Sequence, residues 1–156
     1  MDSAVIKYYR SLLRAEFPNS GAMENPSVFI EAVGEKLINC GNTGNYMQLY
    51  LRVAGERITE ISYLCACEPV ANVAVEVMCD LVKGETLEEA ARLTEEPFYQ
   101  SVGSQAEELR RKVVGLLALL KEGIASYHNS GGAQESVIKE SSEGIGKLSW
   151  DGTLST

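Results

Sequence analysis

Between Met47 and Tyr63 the sequence reads as two strands folded on each other, and this hairpin restricts the rest of the chain more than any other stretch. Met47, Leu49, Leu51 and Val53 are apolar, with Gln48, Tyr50 and Arg52 between them, which is the period of two expected of a strand with one buried face. Ala54-Gly55-Glu56 supplies a short turn and Ile58 to Tyr63 runs back. This pairing brings the loop before the first strand, Cys40-Gly41-Asn42-Thr43-Gly44-Asn45, close to the segment after the second, Cys65-Ala66-Cys67-Glu68-Pro69. Cys40 is therefore expected to approach Cys65 and Cys67 despite the sequence gap. Three thiols at the open end of one hairpin suggest a metal or sulfur site.

The chain has 156 residues, enough for one domain whose core needs no disulfide. A formal net charge of −8, from 22 acidic and 14 basic residues without a dense basic cluster, argues against nucleic acid or an anionic membrane as the main partner. A basic protein surface fits better. The four cysteines, at 40, 65, 67 and 79, and the start Met1-Asp2-Ser3, which lacks a basic leader region, fit reduced thiols and a cytoplasmic location. Val113–Leu120 is far short of the roughly 18 apolar residues needed to span a bilayer.

In chain order, residues 3–15 form a predicted helix capped by Ser3, with Val5, Ile6, Tyr9, Leu12 and Leu13 at helical spacing beside Lys7, Arg10 and Arg14. Phe17-Pro18-Asn19-Ser20-Gly21 ends it. Residues 26–39 carry both a strand pattern (Val28, Ile30, Ala32) and a helix pattern (Phe29, Ile30, Val33, Leu37). Pro69 suits the first position of a helix with Val70, Ala74, Val77, Met78 and Leu81 on its apolar face, Glu68 as cap and Gly84 at its end. Thr86-Leu87-Glu88-Glu89 has capping-box spacing and opens a short helix to about Leu93. Ser104-Gln105-Ala106-Glu107 repeats that signal before a long helix to about Tyr127, with Leu109, Val113, Leu116, Leu117, Leu120 and Ile124 toward the core. Residues 129–156 are Ser-, Gly- and Glu-rich and read as a disordered tail behind a domain of residues 1–128. No internal repeat is visible.

A Cys-Gly loop before the hairpin, a cysteine at the head of the next helix and Lys83-Gly84-Glu85-Thr86-Leu87-Glu88-Glu89-Ala90 after it resemble the NifU/IscU family of iron–sulfur cluster scaffolds. Val5-Ile6-Lys7-Tyr8-Tyr9 and Pro18-Asn19-Ser20-Gly21 match more loosely. The resemblance covers residues 3 to 128 and implies an α+β fold in which a small antiparallel sheet of two or three strands packs against helices. It also implies a non-enzymatic scaffold that holds a nascent iron–sulfur cluster, or a zinc ion, on three cysteines and an aspartate. Its implied partners are a cysteine desulfurase, which supplies sulfur, and the proteins that accept the cluster.

The implied ligand positions are where this sequence departs. An ungapped register with Met47-Gln48-Leu49 puts Thr43-Gly44-Asn45 where the family has Cys-Gly-Asp, although Cys40-Gly41-Asn42 repeats that look three residues earlier. Counting back from Lys83-Gly84 puts Glu68 at the helix-head cysteine and Cys67 at the glycine before it. Val113-Val114-Gly115 replaces the third cysteine. The candidate ligands are therefore Cys40, Cys65, Cys67 and Glu68, with the amide oxygens of Asn42 and Asn45 as further donors for zinc or an iron–sulfur cluster. Three readings stand side by side: a rebuilt cluster scaffold, a metal-free adaptor that keeps the docking surface with its cysteines as small apolar residues, and a zinc-dependent sulfur relay. Cys79, next to Met78 in mid-helix, reads as structural. His128 is the single histidine, which argues against a nucleophilic triad. The paired glutamates 88–89, 95–96 and 107–108 read as solvated helix starts.

Overall fold

The structure is a computed structural model that describes residues 1–33 and 46–130 together with the backbone strand at 135–139. The elements run α1 (Ser3–Arg14), β1 (Val28–Val33), β2 (Tyr46–Ala54), β3 (Arg57–Ala66), α2 (Pro69–Val82), α3 (Leu87–Ala91), α4 (Glu96–Val102), α5 (Glu107–Asn129) and β4 (Glu135–Lys139). They form an α+β fold. The sheet order is β3-β2-β1-β4, with β1, β2 and β3 antiparallel and β4 parallel to β1 at the edge.

The hairpin forms as its pattern predicts. Met47, Leu49 and Leu51 face the core, and Ala54 pairs with Arg57 across Gly55 and Glu56, both left-handed at φ +60° and +65°. Two such residues match the twist of an antiparallel pair. Period two alone does not explain why Ile58, Ile61 and Tyr63 are all buried. Arg52 pairs with Glu60 but Val53 pairs with Ile58, which leaves Thr59 as an extra residue in a bulge that resets the alternation.

Helix α2 differs from expectation in its surroundings. Val70, Ala71, Val73, Ala74, Val75, Val77, Met78, Cys79 and Val82 are all buried, so it has no wet face along most of its length. It is the central helix, packed on α1, α4, α5 and β3. α5 lies against α2 and β1, and Gly123 lets its backbone approach Ile30 closely. No helix among the described residues is long and apolar enough to cross a membrane.

Several local expectations change. The α1 cap is Asp2, whose Oδ2 accepts from the N–H groups of Ala4 and Val5. Thr86 and Glu89 form the expected capping box, but Ser104 does not form one. Its hydroxyl accepts from Ala106 N–H, and α5 begins only at Glu107. The ambiguous segment is a strand over Val28–Val33, with the remainder outside the described residues. Helix α4, absent from the sequence reading, begins at Glu96-Pro97 and ends at Gly103 (φ +81°). Within the segment expected to be a disordered tail, residues 135–139 form β4.

A thiol pair and a buried polar network at the end of the hairpin

β3 ends where its inward-facing side chains run out of core. Ile61 and Tyr63 are buried and Cys65, next on that face, is half-buried. The chain then turns at Ala66 and brings Cys67 back. The two sulfurs are bonded to each other, with Cα atoms 5.6 Å apart. This corrects the expectation of reduced thiols at these two positions, whereas the expected approach of Cys40 to them falls outside the described residues. Cys79 agrees with its structural reading, being fully buried, with its thiol pushed far up by burial and by nearby Glu76 and Asp80. Tyr46 pairs with Ala66, so the chain enters β2 directly opposite the cysteine turn. Cys40, Asn42 and Asn45 lie outside the described residues.

Glu68 is the N-cap residue of α2 but makes no cap hydrogen bond with its side chain. Its Oε1 instead meets Lys112 Nζ of α5 at 3.1 Å. Lys112 is buried, its side chain only 6% exposed, whereas the Glu68 side chain is 47% exposed. Next to Lys112, Val113 is fully buried and Val114 is exposed, so the implied third ligand position is filled by core. Among the described residues, no three His, Cys, Asp or Glu side chains are grouped as a metal site.

Beneath the disulfide runs a polar network that the sequence reading missed. Glu76, 1% exposed inside α2, accepts from the Asn19 backbone N–H (3.2 Å), from Asn19 Nδ2 (2.8 Å) and from the Tyr63 hydroxyl (2.8 Å). Asn19 Nδ2 also donates to Asp80 Oδ1 at 2.9 Å. Burial first, then the bond to Glu76, raises the Tyr63 pKa well above the ordinary phenol value. The side-chain amide of Asn72 lies 3.0 Å from Tyr63 Oη and 3.7 Å from Cys65 Sγ, linking the network to the sulfurs. Two signals were legible. Glu76 is a carboxylate amid Val73, Val75 and Val77, and Lys112 lies three residues after Leu109 and four before Leu116, on the core stripe. A charge at such a position needs a partner.

An α+β frame with a cysteine pair at the open end of a three-stranded antiparallel unit, on the head of a buried helix, defines the class. The profile of the NifU-like N terminal domain matches residues 17–133, and the chain belongs to that family. Among solved structures it is similar to a protein of the thermophile Fervidobacterium islandicum described as an iron–sulfur cluster assembly scaffold for the SUF system. That likeness has a TM-score of 0.58 and 15% identity, and covers 80% of this chain and 96% of the other. It is also similar to the N-terminal part of a nitrogen-fixing NifU-like protein from Brucella abortus, with a TM-score of 0.57, 10% identity and coverage of 82% and 94%. At these identities the likenesses speak for the fold. No curated protein sequence matches the chain.

Proposed function

We propose that this protein serves iron–sulfur cluster assembly as a scaffold rather than as an enzyme. Its cargo would be taken at Cys40, Cys65 and Cys67 once the Cys65–Cys67 bond is reduced, with Glu68 as an oxygen donor. The observation that carries this is the convergence of Cys65 and Cys67 at the open end of the hairpin, on a frame belonging to the NifU-like family. Thiolates are the ligands that soft iron–sulfur clusters and zinc prefer, and one hard oxygen donor in the set makes cargo easier to release. A cysteine desulfurase as sulfur source and cluster-accepting proteins as recipients complete the reading, which takes a cytoplasmic setting.

The test is reconstitution of the reduced chain with iron and sulfide under anaerobic conditions, read by charge-transfer absorption and by analysis of iron, zinc and acid-labile sulfide. Cys67→Ser is expected to lose most of the bound metal or sulfide, and Glu68→Ala to lower retention with the fold intact. Uptake of zinc alone would favour the sulfur relay. A second reading, the metal-free adaptor, is favoured by the ion pair that already occupies Glu68 and by the buried Val113 beside it. Uptake of neither iron nor zinc would make it the better account.

A further inference from the structure

We infer that Cys65 and Cys67 are a thiol–disulfide exchange site, opened by a dithiol reductant at Cys67, whose redox state decides when this end of the hairpin takes thiophilic cargo. The exchange stands on the geometry alone; only what it gates rests on the function proposed above.

The bond joins residues two apart. It ties no distant elements together, and so short a loop leaves the unfolded chain almost as free as before, so a stapling role explains little. Both cysteines are half-exposed, unlike fully buried Cys79.

The hydrogen-bond network then distinguishes the two sulfurs. Tyr63 has one hydroxyl proton, and Glu76 Oε2, a carboxylate oxygen that can only accept, lies 2.8 Å away and takes it. The structure places Asn72 Oδ1 3.0 Å from the Tyr63 oxygen, where two acceptors would then face each other; turning the amide over, so that its NH₂ takes that place and the Tyr63 oxygen accepts, removes the conflict. The Cys65 sulfur, 3.7 Å from the same amide atom, carries no hydrogen in the disulfide and also can only accept. Both neighbours require the same orientation, and Asn72 donates to both. No comparable donor meets Cys67 among the described residues.

The step follows. A thiolate of the reductant attacks Cys67 Sγ, and the Cys65–Cys67 bond breaks. The electron pair leaves on Cys65 Sγ, where the Asn72 N–H stabilises it. The second thiol of the reductant then attacks its own sulfur in the mixed disulfide, releasing Cys67 and closing the reductant's disulfide. Two electrons and two protons pass to the protein, giving two thiols. Asn72 acts as a positioning residue that directs the electron pair to Cys65. Closed, the pair offers no thiolate to a metal; open, it offers two.

The test uses the full chain, oxidised, with glutathione at limiting concentration and the mixed disulfide trapped by acid and located by peptide mass spectrometry. The adduct is expected on Cys67 by about tenfold over Cys65, the preference that one hydrogen bond to a charged sulfur supports. In Asn72→Leu the preference should collapse. Protection of Cys79 from alkylation confirms that the variant remains folded, and Asn72→Gln should restore part of the preference. Zinc uptake after dithiothreitol treatment and its anaerobic removal, but not before, supports the gate. If mild oxidant leaves Cys65 and Cys67 fully alkylatable, the exchange site is overturned while the scaffold reading stands. Adducts shared equally between the sulfurs overturn the role of Asn72. A pair that opens and closes but takes up neither zinc nor iron in either state overturns the gate together with the scaffold reading.

Discussion

Replacing Gly123 by alanine tests how the long helix is seated on the sheet. A Cβ there would lie 2.2 Å from Ile30 Cδ1, 2.8 Å from Ile30 Cγ1 and 3.5 Å from Val28 Cγ1. The first two are far inside van der Waals contact, and Ile30 is 1% exposed, so it has no solvent to swing into. In the middle of a helix alanine is favoured over glycine by about 1 kcal/mol. Overpacking a core costs about 1–3 kcal/mol, and an Ile30 side chain forced from its rotamer adds about 0.5–1.5 kcal/mol. The balance is a net loss of about 1–3 kcal/mol, or several degrees in Tm for a domain of this size. Urea denaturation of the wild type, Gly123→Ala, Ile30→Val and the double variant measures it. Ile30→Val deletes the closest atom, so the double variant should lose less than the sum of the singles. An increase in stability for Gly123→Ala, as helix propensity alone requires, would refute the close approach of α5 to β1.

Three other outcomes follow from the buried polar groups. Asn19→Ala removes the side-chain hydrogen bonds to the Glu76 carboxylate, the Glu76 carbonyl and Asp80 and leaves a buried carboxylate short of a donor, which should cost about 2–3 kcal/mol in chemical denaturation. Tyr63 is raised by burial and by Glu76, so its stabilising contribution is complete below the unfolded phenol pKa near 10 and is lost as pH rises above it. Stability should therefore fall by up to about 1.4 kcal/mol per pH unit in the alkaline range; Tyr63→Phe should flatten that slope, and one phenolate should appear in the ultraviolet titration only on unfolding. Glu68→Gln should cost about 1 kcal/mol in urea, since it removes a charge held 3.1 Å from the buried Lys112 ammonium.

The hairpin and both ends of α2 were legible because short-range rules govern them: alternation, a two-residue turn, and proline at one end with glycine at the other. Thr59 was not, since a bulge adds a residue without leaving a compositional mark and is visible only as the irregular spacing of Ile58, Ile61 and Tyr63. The position of α2 was underestimated for a related reason. A helix enclosed on every side and one with a wide apolar face share most of their residues, and Glu76 in that run was the signal of complete enclosure. At the candidate site the placement of Cys65 and Cys67 just before the head of α2 followed from Pro69 in its first turn. Their oxidation state did not, because a composition argument about compartment says nothing about two sulfurs brought together locally. Asn72 and Asn19 could not be found at all, since each matters only through the fold that sets it beside Tyr63 or Glu76.

The ion pair between Glu68 and Lys112 bears on how such a site hands on what it holds. It runs from the head of α2 to α5, and Val113 packs into the core beside it, so the elements around the open end are already joined by protein groups. A ligand set that also had to hold these elements together would couple every release of cargo to a loss of order. Here the load is divided. Apolar packing and one partly desolvated ion pair fix the frame, while the two sulfurs pack half-exposed at its edge, on the last inward-facing residue of β3 and the turn after it. Opening the disulfide or removing a bound metal then changes local chemistry without loosening the core, whereas Gly123→Ala loosens the core without touching either sulfur or Glu68. Frame and site are thus separable by mutation, which is why stability and metal content, measured on the same variants, distinguish a scaffold that has moved its ligands from an adaptor that has lost them.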